Sequence, residues 1–246
     1  MSDPKHPAIH PHWDATKTSG SEMWAQKRRL ADAMRLVIER LVPSNAPVDE
    51  LRRAAEGLER YAEALKAHPR LVRVHGHAES ATAGDVGAFF DQSPLIGLAN
   101  PLAPPLTIGR TGDKSAAATV TFGSAYEGPP GSVHGGFVAA AFDEVLGYVQ
   151  SLSGAPGMTG TLTVKYLRPT PLHQQLLFEA TLTGVEGRKI LTEATVKADD
   201  QVTAEARAIF ISIRPGRMEE LMAKRDAWEA EHHGTKPVTG SGLADD

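Results

Sequence analysis

The sequence predicts an α+β fold in which a long central helix is wrapped by a curved antiparallel sheet, with an N-terminal helical hairpin extension. Three observations predict it. The segment from about residue 134 to 152 is Gly, Ala, Phe, Val and Leu on nearly every side, as a helix buried all round requires. Four strand-like runs then follow with connections short enough to make them antiparallel neighbours. Two apolar stripes at helical spacing come before all of these, broken by Pro43-Ser44-Asn45-Ala46-Pro47.

Composition narrows the possibilities before any motif is read. The chain has 246 residues, 41% of them hydrophobic, which suits one substantial core with a smaller appendage. A formal net charge of -4 and the lack of any Lys/Arg-rich block leave no positive field for nucleic acid, so none is expected as a partner. With no cysteine, thiolate nucleophiles, disulfides and zinc-thiolate clusters are excluded. Met1-Ser2-Asp3-Pro4 begins no leader of basic then apolar character, and no apolar run is long enough for a membrane span, so a cytoplasmic protein is expected.

Taken in order, residues 1–21 lack periodicity and read as a flexible tail, in which His6, His10 and His12 are solvated and not metal ligands. Residues 22–70 form the hairpin: Met23, Leu30, Met34, Val37, Ile38 and Leu41 make one stripe, and Val48, Leu51, Ala55, Leu58, Ala62 and Leu65 the other. Such stripes must be buried on the main domain or on a second subunit. Residues 71–103 are an irregular connecting segment, apolar yet rich in turn residues, and its His75-Gly76-His77 lacks a third metal ligand. The main domain spans 104–213. It begins with strands near 106–110 and 116–122, and after the helix continues with strands near 159–167, 176–184, 188–198 and 202–213. Residues 214–246 read as a polar helix and a disordered tail.

The chemistry gathers on the central helix. Asp143 and Glu144 are carboxylates on an otherwise apolar element, and a buried carboxylate needs a compensating role, either catalysis or a structural hydrogen bond. Glu144, about 100° further round, reads as a boundary residue. His134-Gly135-Gly136 stands where the helix begins, so unpaired N–H groups and the positive end of the helix dipole point outward beside residues with almost no side chain. A carbonyl placed there would have its developing oxyanion stabilised during acyl transfer. A Gly-Gly turn that merely starts a helix is the plainer reading. From His134 to Asp143, helical geometry gives about 900° of rotation and about 13.5 Å of rise, so the two point to opposite faces. If both act on one carbonyl, they must come from different subunits, and a two-fold dimer with two sites is obligatory.

These residues resemble the hotdog-fold thioesterases, in particular the phenylacetate-pathway (PaaI-like) branch and thioesterase superfamily members 4 and 5. The resemblance covers residues 104–213. It is carried by Tyr126-Glu127-Gly128-Pro129-Pro130-Gly131, His134-Gly135-Gly136 with Asp143, Met158-Thr159, Tyr166-Leu167-Arg168-Pro169-Thr170-Pro171-Leu172 and Val185-Glu186-Gly187-Arg188-Lys189. It implies a hotdog fold and hydrolysis of a fatty or aromatic acyl-CoA to free acid and CoA, with no cofactor and no metal. Asp143 would be general base or nucleophile and Gly135 the oxyanion donor, with Gly136 as a second and His134 beside them. Thr159 would partner the catalytic water, with Thr161 and Thr163, read as sharing its strand face, as weaker candidates. The resemblance further implies a homodimer joined sheet edge to sheet edge and pairing again into a homotetramer. CoA would lie at the dimer interface, within reach of Arg168, Arg188 and Lys189. A non-catalytic acyl-CoA-binding or sensing protein is the alternative on the same fold.

Overall fold

Alternating strands and a single apolar helix settle into one layer wrapped on another. The computed structural model describes residues 10–11, 22–68, 91–155, 157–213 and nine positions between 216 and 231. His6, His12, the His75-Gly76-His77 pair and the last residues from 232 onward lie outside the described residues. Two compact units divide the chain: Met1–Val42 with Val74–Arg214, and Pro43–Arg73 with Pro215–Asp246. The two N-terminal helices therefore belong to different units.

The first unit contains β1 (His10–Pro11), α1 (Glu22–Leu41), β2 (Thr107–Gly112) and β3 (Ser115–Thr121), then a 3-10 turn (Ser124–Tyr126) and a helix, Gly135–Ser151. β4 (Gly157–Tyr166), β5 (Gln175–Glu186), β6 (Lys189–Ala198) and β7 (Gln201–Ser212) complete it. Every strand pairing is antiparallel, in the order β1-β2-β3-β5-β6-β7-β4, so β4 forms one edge. The tail expected to be mobile contributes β1, which pairs His10 and Pro11 with Arg110 and Gly109. Two-residue turns join β5 to β6 and β6 to β7; Gly187 and Asp199, at φ of 59° and 49°, supply the left-handed backbone that such turns need.

The 135–151 helix buries Val138, Ala141, Phe142, Val145, Leu146 and Val149 against the inner face of the sheet, where Phe178, Ile190, Val196 and Phe210 are almost fully buried. Phe142 meets Phe178 edge to face at 5.1 Å. The helix is not buried all round, as its composition suggests. Gly136 is exposed, and Ala139, Ala140, Asp143, Glu144 and Gly147 are half-buried, so one face stays partly open. Small residues explain the difference, because they fit either a tight core contact or a surface another molecule approaches closely.

β4 differs from simple alternation in a way that matters for the site. Thr159 pairs with Phe210 but Thr161 with Ile209, so Gly160 is an extra residue, a bulge. Thr159 therefore shares the helix-facing side with Leu162, Val164 and Tyr166, while Thr161 and Thr163 face the other way. A Cβ on Gly160 would lie 3.0 Å from Ile211 Cγ1 and 3.2 Å from the Ile209 carbonyl oxygen, which is why glycine stands there.

Within the chain α1 docks by its polar side, so of the two expected partners for its apolar stripe the main domain is not the one that covers it. Trp24 and Ala31 are buried. Around them Arg28 forms an ion pair with buried Asp91 at 2.6 Å, and Arg35 donates to the carbonyls of Asn100 (2.7 Å) and Leu98 (2.9 Å). Glu39 accepts from the Ser124 N–H at 2.7 Å and from its hydroxyl at 2.8 Å. Met23, Leu30, Met34, Val37 and Leu41 are left exposed. Turns in the 91–105 segment leave backbone carbonyls without ladder partners, and arginines satisfy them better than leucines do.

In the second unit α2 (Val48–Leu65) has no buried residue and carries ion pairs one turn apart, Asp49 with Arg52 and Glu50 with Arg53. Every described position from 217 to 231 is helical.

Candidate active site

The loop from Tyr126 to His134 is folded by its own backbone. The Gly128 N–H donates to the Ser132 carbonyl at 2.9 Å, the Ser132 N–H to that of Pro129 at 2.8 Å, and the Gly131 N–H to Glu127 Oε1 at 2.7 Å. The Val133 N–H donates to the Thr170 carbonyl and the His134 N–H to that of Tyr126, both at 2.8 Å, which delivers the chain into the 135–151 helix, called α3 below, in one orientation.

His134 is the N-cap of α3, and its Nδ1 accepts the Gly136 N–H at 3.0 Å. Two consequences follow. Nδ1 is committed as an acceptor, so in the neutral ring Nε2 carries the hydrogen and presents a donor. The Gly136 N–H, expected as a second oxyanion donor, is already occupied by the imidazole. Among the described residues, no acceptor pairs with the Gly135 N–H, which is left as the donor at the positive end of the helix.

Tyr166 is a neighbour that the sequence reading did not assign. Its hydroxyl donates to the Gly135 carbonyl at 2.7 Å, and its ring lies so close that a Cβ on Gly135 would be 3.2 Å from Cζ and from Oη. A side chain at 135 would press on the Tyr166 ring, which would have to give by a few tenths of an ångström. The signal was available in the strand alternation, which puts Tyr166 on the helix side with Leu162 and Val164.

The carboxylate lies further down the helix. The Thr159 hydroxyl donates to Asp143 Oδ1 at 2.8 Å, so the bulge brings the threonine, which the resemblance assigned to a water molecule, onto the carboxylate itself. Eight residues of α3 separate Gly135 from Asp143, a rise of about 12 Å. One chain therefore holds two separate candidate half-sites: His134, Gly135 and Tyr166 at the helix N-terminus, and Asp143 with Thr159 two turns on.

The basic residues divide the same way. Arg168, two residues past Tyr166, donates to the Val202 carbonyl at 3.0 Å. Arg188 donates to the Ser212 carbonyl through Nε (3.1 Å) and Nη2 (2.8 Å), and Ser212 is in register with Gly157, near Thr159. Lys189 is exposed one position along, in register with Ile211. Among the described residues, no group of three His, Asp or Glu side chains is placed to hold a metal ion, and no helix is long and apolar enough to cross a membrane.

A groove of about 450 Å³ lies beside the first half-site, between α1, the 101–105 segment and the 3-10 turn. Tyr126 and Phe137 wall it and meet edge to face at 4.9 Å, and Phe137 meets the His134 ring at 6.3 Å. The Tyr126 hydroxyl donates to the Leu102 carbonyl at 2.7 Å. Its pKa is pushed up to about 12 by burial; Arg35 pulls it down and Glu39 raises it further.

A family model of the thioesterase superfamily matches residues 130–205. Acyl-coenzyme A thioesterase THEM4 of Xenopus laevis is 35% identical over 91 residues, which are 36% of this chain and 41% of that protein. Acyl-coenzyme A thioesterase THEM5 of Homo sapiens is 29% identical over 94 residues, 37% of this chain and 38% of its own length. The chain thus spans 41% or less of these curated relatives. A solved thioesterase superfamily protein is 34% identical, with a TM-score of 0.69, over 79% of this chain and 97% of its own.

Proposed function

The chain belongs to the thioesterase superfamily, and from that premise we propose that it hydrolyses acyl-CoA thioesters to free acid and CoA, using sites built from two copies of itself. The observation that carries the proposal is the Thr159–Asp143 hydrogen bond, on the same helix as an unpaired Gly135 N–H but about two turns from it. Thr159 occupies Asp143 Oδ1, which leaves Oδ2 for a water molecule. Asp143 as general base takes a proton as the water oxygen bonds to the thioester carbon, and the Gly135 N–H and helix dipole hold the oxyanion. The carbon–sulfur bond then breaks and CoA leaves as the thiolate, which takes up a proton. Direct attack by Oδ2 would instead expel the CoA thiolate and form a mixed anhydride, and water opening it at the Asp143 carboxyl carbon would place solvent ¹⁸O in the protein carboxylate during a single turnover.

The two-subunit arrangement rests on separation and on the sheet edge. β4 is the outer strand, ten residues long and exposed along most of its length. An unpaired edge of that length favours pairing with another strand, and a two-fold axis there would set Asp143 of one copy near Gly135 of the other. Arg168 from one copy and Arg188 with Lys189 from the other would then flank the site with positive charge suited to CoA phosphates. Asp143→Asn tests the assignment by thiol release across acyl-CoA chain lengths and aromatic acyl groups. A loss of kcat of two or more orders of magnitude with the fold intact is expected, and unchanged turnover rejects it. Tight acyl-CoA binding without thiol release from the wild-type chain would instead favour the sensing role.

A further inference from the structure

Resting on the hydrolase reading, we infer that the groove between α1 and the turn leading to α3 receives the acyl chain of the thioester, and that α1 therefore sets acyl length. The groove is close to the reacting end. Tyr126 and Phe137 wall it, Phe137 stands edge to face with the His134 ring at 6.3 Å between centroids, and the Tyr126 carbonyl accepts the His134 N–H at 2.8 Å. A chain leaving a carbonyl held at Gly135 has one aromatic layer to pass before it is inside.

The lining suits hydrocarbon. Leu36, Ile38, Leu102, Pro104, Tyr126 and Phe137 supply apolar surface. The charged groups there already have partners in the walls: Arg35 is held by two carbonyls and Asp32, and Glu39 by Ser124. A charge whose hydrogen bonds are satisfied by the wall offers little to a polar ligand but rigidifies the space around an apolar one. The volume of about 450 Å³ falls within the usual range of small-molecule sites. The same bonds that dock α1 by its polar side thus form the groove, which gives that unusual docking a purpose.

The effect of chain length follows from burial: each methylene withdrawn from water there raises kcat/KM about fourfold until the groove is full. The test uses two exposed leucines of one helix, Leu36 lining the groove and Leu30 outside it. Leu36→Trp narrows the groove and is expected to lower the ratio of long-chain to short-chain kcat/KM at least tenfold. Leu30→Trp is expected to leave that ratio within twofold of wild type. An unchanged ratio in Leu36→Trp, or an equal change in both variants, overturns the inference. Binding of a non-hydrolysable acyl-CoA thioether is measured alongside, as an alkyl-length series. If the wild-type chain releases no thiol, the hydrolase reading fails on its own, while the groove is still decided by whether Leu36→Trp shortens the preferred alkyl length.

Discussion

Replacing Thr159 by alanine takes one hydrogen bond away from the carboxylate and leaves its backbone in place. That bond, 2.8 Å from Oγ1 to Asp143 Oδ1, ends on a carboxylate oxygen, a class worth about 1.5–3 kcal/mol. Thr159 is exposed and Asp143 half-buried in the single chain, so the lower end applies, and about 1.5 kcal/mol corresponds to roughly tenfold in rate. The expectation is a roughly tenfold fall in kcat with KM little changed, because the hydroxyl orients the base and does not hold CoA. Thr159→Ser keeps the hydroxyl and loses only the β-branch that fixes its rotamer, so it should recover most of the activity. Thiol release at saturating acyl-CoA reads kcat, and thermal unfolding of each variant separates folding from function. If Thr159→Ala keeps kcat within twofold, or Thr159→Ser is no better than alanine, Thr159 does not position the base.

The remaining predictions concern assembly and pH. Gly135→Ala places a Cβ against the Tyr166 ring and should inactivate the first half-site, as Asp143→Asn should the second. Mixed after subunit exchange, the two inactive chains should regain about a quarter of wild-type activity, since half the dimers are mixed and each has one intact site of two; no recovery despite proven exchange would place both halves in one subunit. At alkaline pH, Tyr126 binds its proton more tightly in the folded chain than in the unfolded one, so stability should be complete below about pH 10 and fall as pH rises toward about 12. Denaturant midpoints at pH 8 and 11 should therefore differ more for wild type than for Tyr126→Phe, and an equal drop in both would show that the loss arises elsewhere.

Much of the fold could be read from the sequence because its signals are local. The apolar stretch starting at His134 has no polar side wide enough for an ordinary surface helix, and the hairpin turns at Gly187 and Asp199 use residues that accept left-handed backbone. His134-Gly135-Gly136 and Asp143 could likewise be placed from helix geometry. Other features depend on which elements meet. Alternation alone puts Thr161 and Thr163 beside Thr159, and only the strand register exposes the bulge that separates them. Alternation puts Tyr166 on the helix side with Leu162 and Val164, but only the packing of β4 past the N-terminus of α3 shows that it meets Gly135. The apolar stripe of α1 does not mark the face that docks within the chain, since the helix is held there by carbonyls that the irregular 91–105 segment leaves unpaired. The occupied Gly136 N–H was hidden for a similar reason, because a histidine at an N-cap has two ways to turn its ring.

The bulge at Gly160 acts as a phase change in β4. Downstream of it, Leu162, Val164 and Tyr166 keep step with the core; upstream, Thr159 is brought onto the same side for chemistry, which uninterrupted alternation would not allow. A substitution that drew Gly160 into regular pairing would leave the packed part of the strand in phase while turning the hydroxyl away from its carboxylate. A folded but inactive protein would be one codon away, so the site can be lost or regained without disturbing the core that carries it.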